Sequence, residues 1–261
     1  MEDDETIAKQ FPYSEMAKYG WIPSTKNSKE KVIYLRKYFE VVELSLLENN
    51  QITRIACRRL AITKKSDLAL MAWAQKAKIE ARKIETSPIN IKGLISSILE
   101  IRKMTTMNPS EFCPKLKSIF ANCGIALVFL PHLQGSFLQG ATFMDGNKIV
   151  VGLTTRGKDA DKFWFSLFHE LGHIILGHIS QLNGISDKDE KNANIWARNI
   201  LISLDSFEQF IIEKNYTSSS ICRFAKALEI APGIVVGRLQ NEGYIKHNIM
   251  NELKERYELV G

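Results

Sequence analysis

The chain is short of several features that would assign it a class at once. No stretch is apolar for long enough to span a bilayer. The longest such runs are "GIALVFLP" at 124–131 and "KIVVGL" at 148–153, far below the ~20 residues a membrane helix needs. No two of the four cysteines, Cys57, Cys113, Cys123 and Cys222, have CxxC spacing. That pattern excludes a zinc ribbon or a thioredoxin-like pair and reads as scattered reduced thiols. The opening stretch "MEDDETIAKQ" is acidic and has no basic leader of the secretory or transit type, so a cytoplasmic chain is expected. There is no internal repeat and no low-complexity tract. No aromatic residue interrupts the basic run "RIACRRLAITKKS" at 54–66. Stacking on single-stranded nucleic acid is therefore not expected, and the run reads as the solvated face of a helix. Histidine is scarce too: only His132, His169, His173, His178 and His247 occur.

What is present fits a globular protein of one or two domains. The chain has 261 residues, is 45% hydrophobic and 25% charged, and carries a mild net charge of +6. Residues 1–24 look irregular. Asn27 with Glu30 forms a candidate capping box for a helix from about residue 28. "SDLALMAWAQKAKIEARKI" from Ser66, "NIKGLISSILEIRKMTTM" and "NPSEFCPKLKSIFANCG" all read as helices, the last with Ser110 as cap and Gly124 as stop. "IALVFLPHL" suits a strand. "SFLQGATFMDGNKIVVGL" suits a hairpin turning on Asp-Gly. Helices follow at about 161–178, 187–201, 204–214, 217–228, 232–242 and 246–257. The expected fold is α+β: mostly helical, with a small antiparallel or mixed sheet packed on one central helix. The expected divisions are a helical region at 1–105, a compact core at 106–203 and a helical region at 204–261.

The central helix, "FWFSLFHELGHIILGHIS" at 163–180, is built for burial, yet it carries His169, Glu170 and His173. On a helix, positions i and i+4 share a face, so the two imidazoles project side by side, with Glu170 in the same broad sector. This is the HExxH arrangement. Two imidazoles hold zinc, and the glutamate serves as general base. The apolar surroundings, from Phe163 to Leu176, make unpaired polar groups expensive there. A catalytic zinc needs a third ligand. The extended form HExxHxxGxxH is excluded by Leu176 and Ile179. His178, five residues beyond His173, is expected to point away from the pair. In the next helix Glu190, Ala193, Asn194 and Ala197 share a face, and the two alanines permit close approach. Glu190 is the expected third ligand, with Asn194 steadying a ligand one turn on. Asp187 is expected to serve as a cap and Asp189 to face elsewhere. For the group that steadies an oxyanion, His178, Tyr216 and backbone N–H groups stay open.

"HELGH" followed by "EKNANIWARNILI" resembles the ImmA/IrrE family of zinc metallopeptidases, whose second motif reads roughly ExxANxFA. Trp196 stands where that family usually has Phe. Asn192, Asn199 and Ser203 also depart from its commoner residues. The stretches "YGWIPSTKN", "LALMAWAQKAKIEA", "FLPHLQGSFLQGATF" and "IAPGIVVGRLQNEGYI" are similar to members fused to an antitoxin-like helix-turn-helix domain, which in those relatives precedes the part seen here. The resemblance implies a gluzincin-like fold and Zn2+ held by His169, His173 and Glu190, with Glu170 as the catalytic base. It also implies a protein substrate, a helix-turn-helix repressor or antitoxin-like regulator cleaved during transcription regulation or stress. An edge at "GATF", 140–143, is a candidate for pairing with an extended peptide. The segment at 218–240 has helix–turn–helix spacing, but only Arg238 and Gln240 offer contacts to a nucleic acid, so it reads as a packing module. No membrane partner and no direct DNA binding by this chain are expected. The alternative is a non-catalytic regulatory or antitoxin-like binding protein with a structural or vestigial metal site.

Overall fold

Among the described residues, three strands form where β-branched and aromatic residues concentrate, and most of the other segments are helical. A computed structural model describes residues 3–49, 64–136, 139–154, 159–180 and 185–257. The basic run at 54–66 and Cys57 lie largely outside the described residues. The helices before the sheet are α1 (Asp4–Ala8), α2 (Tyr13–Lys18), α3 (Ser28–Phe39), α4 (Leu46–Asn49), α5 (Lys64–Arg82), α6 (Ile91–Lys103) and α7 (Pro109–Asn122). Strands β1 (Ile125–Leu130), β2 (Gly140–Asp145) and β3 (Lys148–Thr154) follow. Then come α8 (Ala160–Ile175), α9 (Asp187–Leu201), α10 (Leu204–Ile212), α11 (Ser218–Ala227) and α12 (Pro232–Asn241). The class is α+β, as expected.

The sheet is mixed, in the order β1-β3-β2. β1 runs parallel to β3, and β2 pairs antiparallel with it from Gly140↔Leu153 to Asp145↔Lys148. Gly146 closes that hairpin at φ +61°, a left-handed conformation that glycine adopts without strain. Alternation along the strands sends side chains to two separate cores. Ala126, Val128, Leu130, Ala141, Phe143 and Val150 pack against α1 to α5. Ile125, Leu127, Phe129, Ile149, Val151 and Leu153 pack against α6 to α12. No helix among the described residues is long and apolar enough to cross a membrane.

Several expectations need correction. Residues 1–24 are not irregular: α1 and α2 form there, because Asp3 caps Thr6 N–H and Ile7, Ala8, Tyr13 and Met16 are buried. The cap of α7 is Asn108, with Pro109 opening the helix, rather than Ser110. The helix expected at 246–257 is only a short turn at Asn251–Leu253. There the buried Gln240 amide donates to the carbonyls of His247 and Ile249, which a helix would need for itself. β2 is the outer strand on its side of the sheet, but residues 140–143 are buried rather than exposed, and the turn at His178–Ser180 packs against the strand. Arg238 and Gln240 are buried as well, and Arg238 is bonded to the Ile202 carbonyl and Glu242.

Candidate metal centre

Helices α8 and α9 meet at small residues. Gly172 lies directly over Ala193: a Cβ on Gly172 would sit 3.2 Å from the Ala193 Cα and 3.3 Å from its carbonyl oxygen. Ala193 and Ala197 are both fully buried. This close approach lets a short glutamate on α9 reach the imidazoles of α8. The cap of α9 fixes its start. Ser186 receives Asp189 N–H, and the Asp189 carboxylate receives Ser186 N–H at 2.9 Å, a reciprocal capping box.

Three donors converge there. His169 Nε2 and His173 Nε2 are 3.0 Å apart. Glu190 brings Oε2 to 3.4 Å from the first and Oε1 to 3.5 Å from the second. One ligand atom from each residue lies within 4.8 Å of the others, so the group could hold a metal ion. The spacing suits a small tetrahedral cation. Ligands roughly 2.0–2.1 Å from such an ion stand about 3.3–3.4 Å from one another. The protonation pattern fits as well. In the tautomer with its proton on Nδ1, His169 donates to Asn194 Oδ1 at 3.0 Å. The Nε2 lone pair then faces another imidazole and a carboxylate, an electron-rich centre that a cation relieves. Asn194 thus stands where the sequence places it, one turn beyond Glu190.

Glu170 lies beside these donors but turns toward the sheet. Thr142 on β2 donates its hydroxyl to Glu170 Oε2 at 2.6 Å, and both residues are buried. Gly140 makes room, since a Cβ there would stand 2.8 Å from Glu170 Oε1. Burial pushes the Glu170 carboxyl up to about 7, against the pull of His169 and Thr142. Burial, then the charge of His169, pushes His173 down to about 4. Burial also works to lower His169, but the hydrogen bond its protonated ring donates to Glu190 and the charges of Glu170 and Glu190 leave it raised.

His178 is where the sequence reading misses. Carried on by α8, a residue five positions after His173 would face away, since each residue advances about 100°. Instead α8 stops at Ile175 and Gly177 takes φ +75°. The chain turns back, and His178 brings Nδ1 to 3.0 Å from His173 Nδ1. It therefore contacts the ring edge away from Nε2, the atom that faces Glu190, and lies outside the group that could hold an ion. Asp189 likewise does not face elsewhere: besides capping α9, its Oδ1 lies 3.4 Å from His178 Nε2. Asp187 is exposed and takes no part in the capping box. The Tyr216 hydroxyl donates to the Ile211 carbonyl within its own turn. Thr142 was also missed; its one signal is a hydroxyl on the inward face of an otherwise apolar strand.

A cavity of about 550 Å³ lies along the same two helices, lined by Lys162 and Phe165 of α8 and Arg198 of α9. Its walls do not include His169, His173 or Glu190. Compared with known proteins, the chain matches no protein-family model and no curated protein.

Proposed function

We propose that this chain is a cytoplasmic zinc-dependent metallopeptidase that hydrolyses a peptide bond in a regulatory protein, such as a helix-turn-helix repressor or antitoxin-like regulator. What supports the reading most is one juxtaposition. His169, His173 and Glu190 converge, while Glu170, one residue along, stays out of the ligand group and has a pKa near neutrality. A structural metal site has no need of such a base. The resemblance to ImmA/IrrE peptidases in "HELGH" and "EKNANIWA" supplies the substrate class by analogy.

His169, His173 and Glu190 would hold the zinc, and Asn194 would keep His169 in its ligating tautomer. When bound, zinc supplies Lewis acidity that polarises a carbonyl and makes water a better nucleophile near neutral pH. Glu170 accepts the proton of the attacking water at a carboxylate oxygen and delivers it to the departing amine nitrogen. The Thr142 hydroxyl fixes that carboxylate, and the buried setting limits competing solvent.

The test compares wild type, Glu190→Gln and Glu170→Gln. Bound zinc is measured by elemental analysis and cleavage by mass spectrometry on candidate helix-turn-helix repressors. The expected result is about one zinc per chain in wild type, marked loss in Glu190→Gln, and retention in Glu170→Gln with no cleavage. A wild type that takes up no zinc even when supplied would sink the peptidase reading. Zinc binding without cleavage of any repressor would favour the non-catalytic binding protein.

A further inference from the structure

The contact between two histidine Nδ1 atoms raises a question of direction, because only one of them can carry the shared proton. The pair is His173 and His178, with rings 5.2 Å apart at 67°. Suppose the proton sits on His178 Nδ1. The Nε2 lone pair of a neutral His178 would then face the Asp189 carboxylate at 3.4 Å. His178 is 5% exposed and Asp189 9%, so little water screens that repulsion. Suppose instead that His178 carries its proton on Nε2. That N–H then points at Asp189, His178 Nδ1 accepts from His173 Nδ1–H, and the His173 Nε2 lone pair faces Glu190 at 3.5 Å and His169 Nε2 at 3.0 Å. This repulsion is of the same kind, but it falls at the one point where a cation held by these three residues would relieve it.

We propose that Asp189 and His178 form an outer relay that fixes the tautomer and orientation of His173, so that the site is ready for a divalent cation before one arrives. The inference rests on the metal-binding reading of His169, His173 and Glu190. His178 is a positioning residue. Asp189 works in two directions. Its Oδ2 accepts from the Ser186 N–H and hydroxyl and so sets the first turn of α9. Its Oδ1 faces His178. The residue after Asp189 is Glu190, so the same carboxylate ties the start of the helix bearing one ligand to the ring bearing another.

The experiment uses the full chain as wild type, His178→Leu, His178→Gln and Asp189→Asn. Zinc affinity is read by competition with a chelator. The His173 tautomer in the metal-free protein is read from imidazole 15N–1H NMR, with circular dichroism to confirm folding. The expected loss of affinity is about 10- to 100-fold in His178→Leu, the range for removing a partner of a metal-bound histidine. His178→Gln, which can still accept from His173, should recover part of it. Asp189→Asn should shift His173 toward the Nε2–H form, because the amide presents a donor to His178. Unchanged or tighter zinc binding in a folded His178→Leu would overturn the proposal, as would an Nε2–H His173 in metal-free wild type. If wild type takes up no zinc, the metal reading fails, while the tautomer measurement still decides the relay.

Discussion

The two faces of the sheet are both covered by helices, yet they bury different chemistry. On the face toward α1–α5, Trp73 lies against Gly152 so closely that a Cβ there would stand 2.7 Å from its ring. The polar atoms on that side find backbone carbonyls: Trp73 Nε1 donates to Pro131 at 3.0 Å and the Tyr38 hydroxyl to Ala72 at 2.7 Å. On the face toward α8 and α9, Thr142, Glu170, His173, His178 and Asp189 are all buried. Burying ionisable groups costs free energy unless each has a partner. The first face spends its area on stability alone. The second gives up some stability to hold bases in fixed orientations around one point.

The largest effect expected from this contrast is on the dry side. Trp73→Ala should destabilise the protein by about 3–5 kcal/mol, the usual range for emptying a large aromatic site. Urea denaturation measures it. The folded fraction should still bind as much zinc per chain as wild type. Loss of zinc from Trp73→Ala protein that is still folded would show that the two faces are not separable.

Much of this division was legible in the sequence, and the exceptions share a cause. The α+β class, the strands, the Asp-Gly hairpin and the α8–α9 pair follow from periodicity and turn chemistry, which are local. His169, His173, Glu190 and Asn194 come together because i, i+4 spacing and two alanines fix them on facing helices. His178, Asp189 and Thr142 were not placed, since each depends on where the chain goes after an element ends. The left-handed Gly177 returns His178 to the site. Ser186, rather than Asp187, sets the cap that aims Asp189. Thr142 needs the order β1-β3-β2, which puts β2 beside α8. The terminal helix expected at 246–257 failed for a similar reason: a buried Gln240 claims its carbonyls.

The next effect in size concerns the cost of the second face. In the metal-free protein the Glu170 pKa is about 7, against an ordinary value of 4.5. The fold therefore holds a proton that the unfolded chain releases between those values. This contribution is fully present below 4.5 and lost as pH rises through 7. Glu170→Gln does not titrate. Metal-free Glu170→Gln should thus gain on wild type as pH rises from about 5 to about 8, by up to about 3 kcal/mol. His173, lowered to about 4, acts in the opposite sense: its contribution is present above 6.5 and lost as pH falls through 4. Both proteins keep His173, so it drops out of the comparison. Urea denaturation at the two pH values gives the answer, and a pH-independent difference would mean that Glu170 is not held neutral by its surroundings.

The smallest effect isolates the contact that joins the sheet to the chemistry. Thr142→Val keeps the shape of the side chain and removes the donor that meets Glu170 Oε2 at 2.6 Å. A hydrogen bond to a charged group contributes roughly 1.5–3 kcal/mol. On the proposed peptidase reading a loss of about 10- to 100-fold in turnover is therefore expected, with zinc content and substrate affinity near wild type. That bond also helps hold the Glu170 pKa down. Its removal should raise the pKa further and move the acid limb of the pH–rate profile to higher pH. Thr142→Ser retains a hydroxyl and should restore both turnover and profile. If Val and Ser behave alike, Thr142 only fills space, and the sheet merely supports α8 without orienting its base.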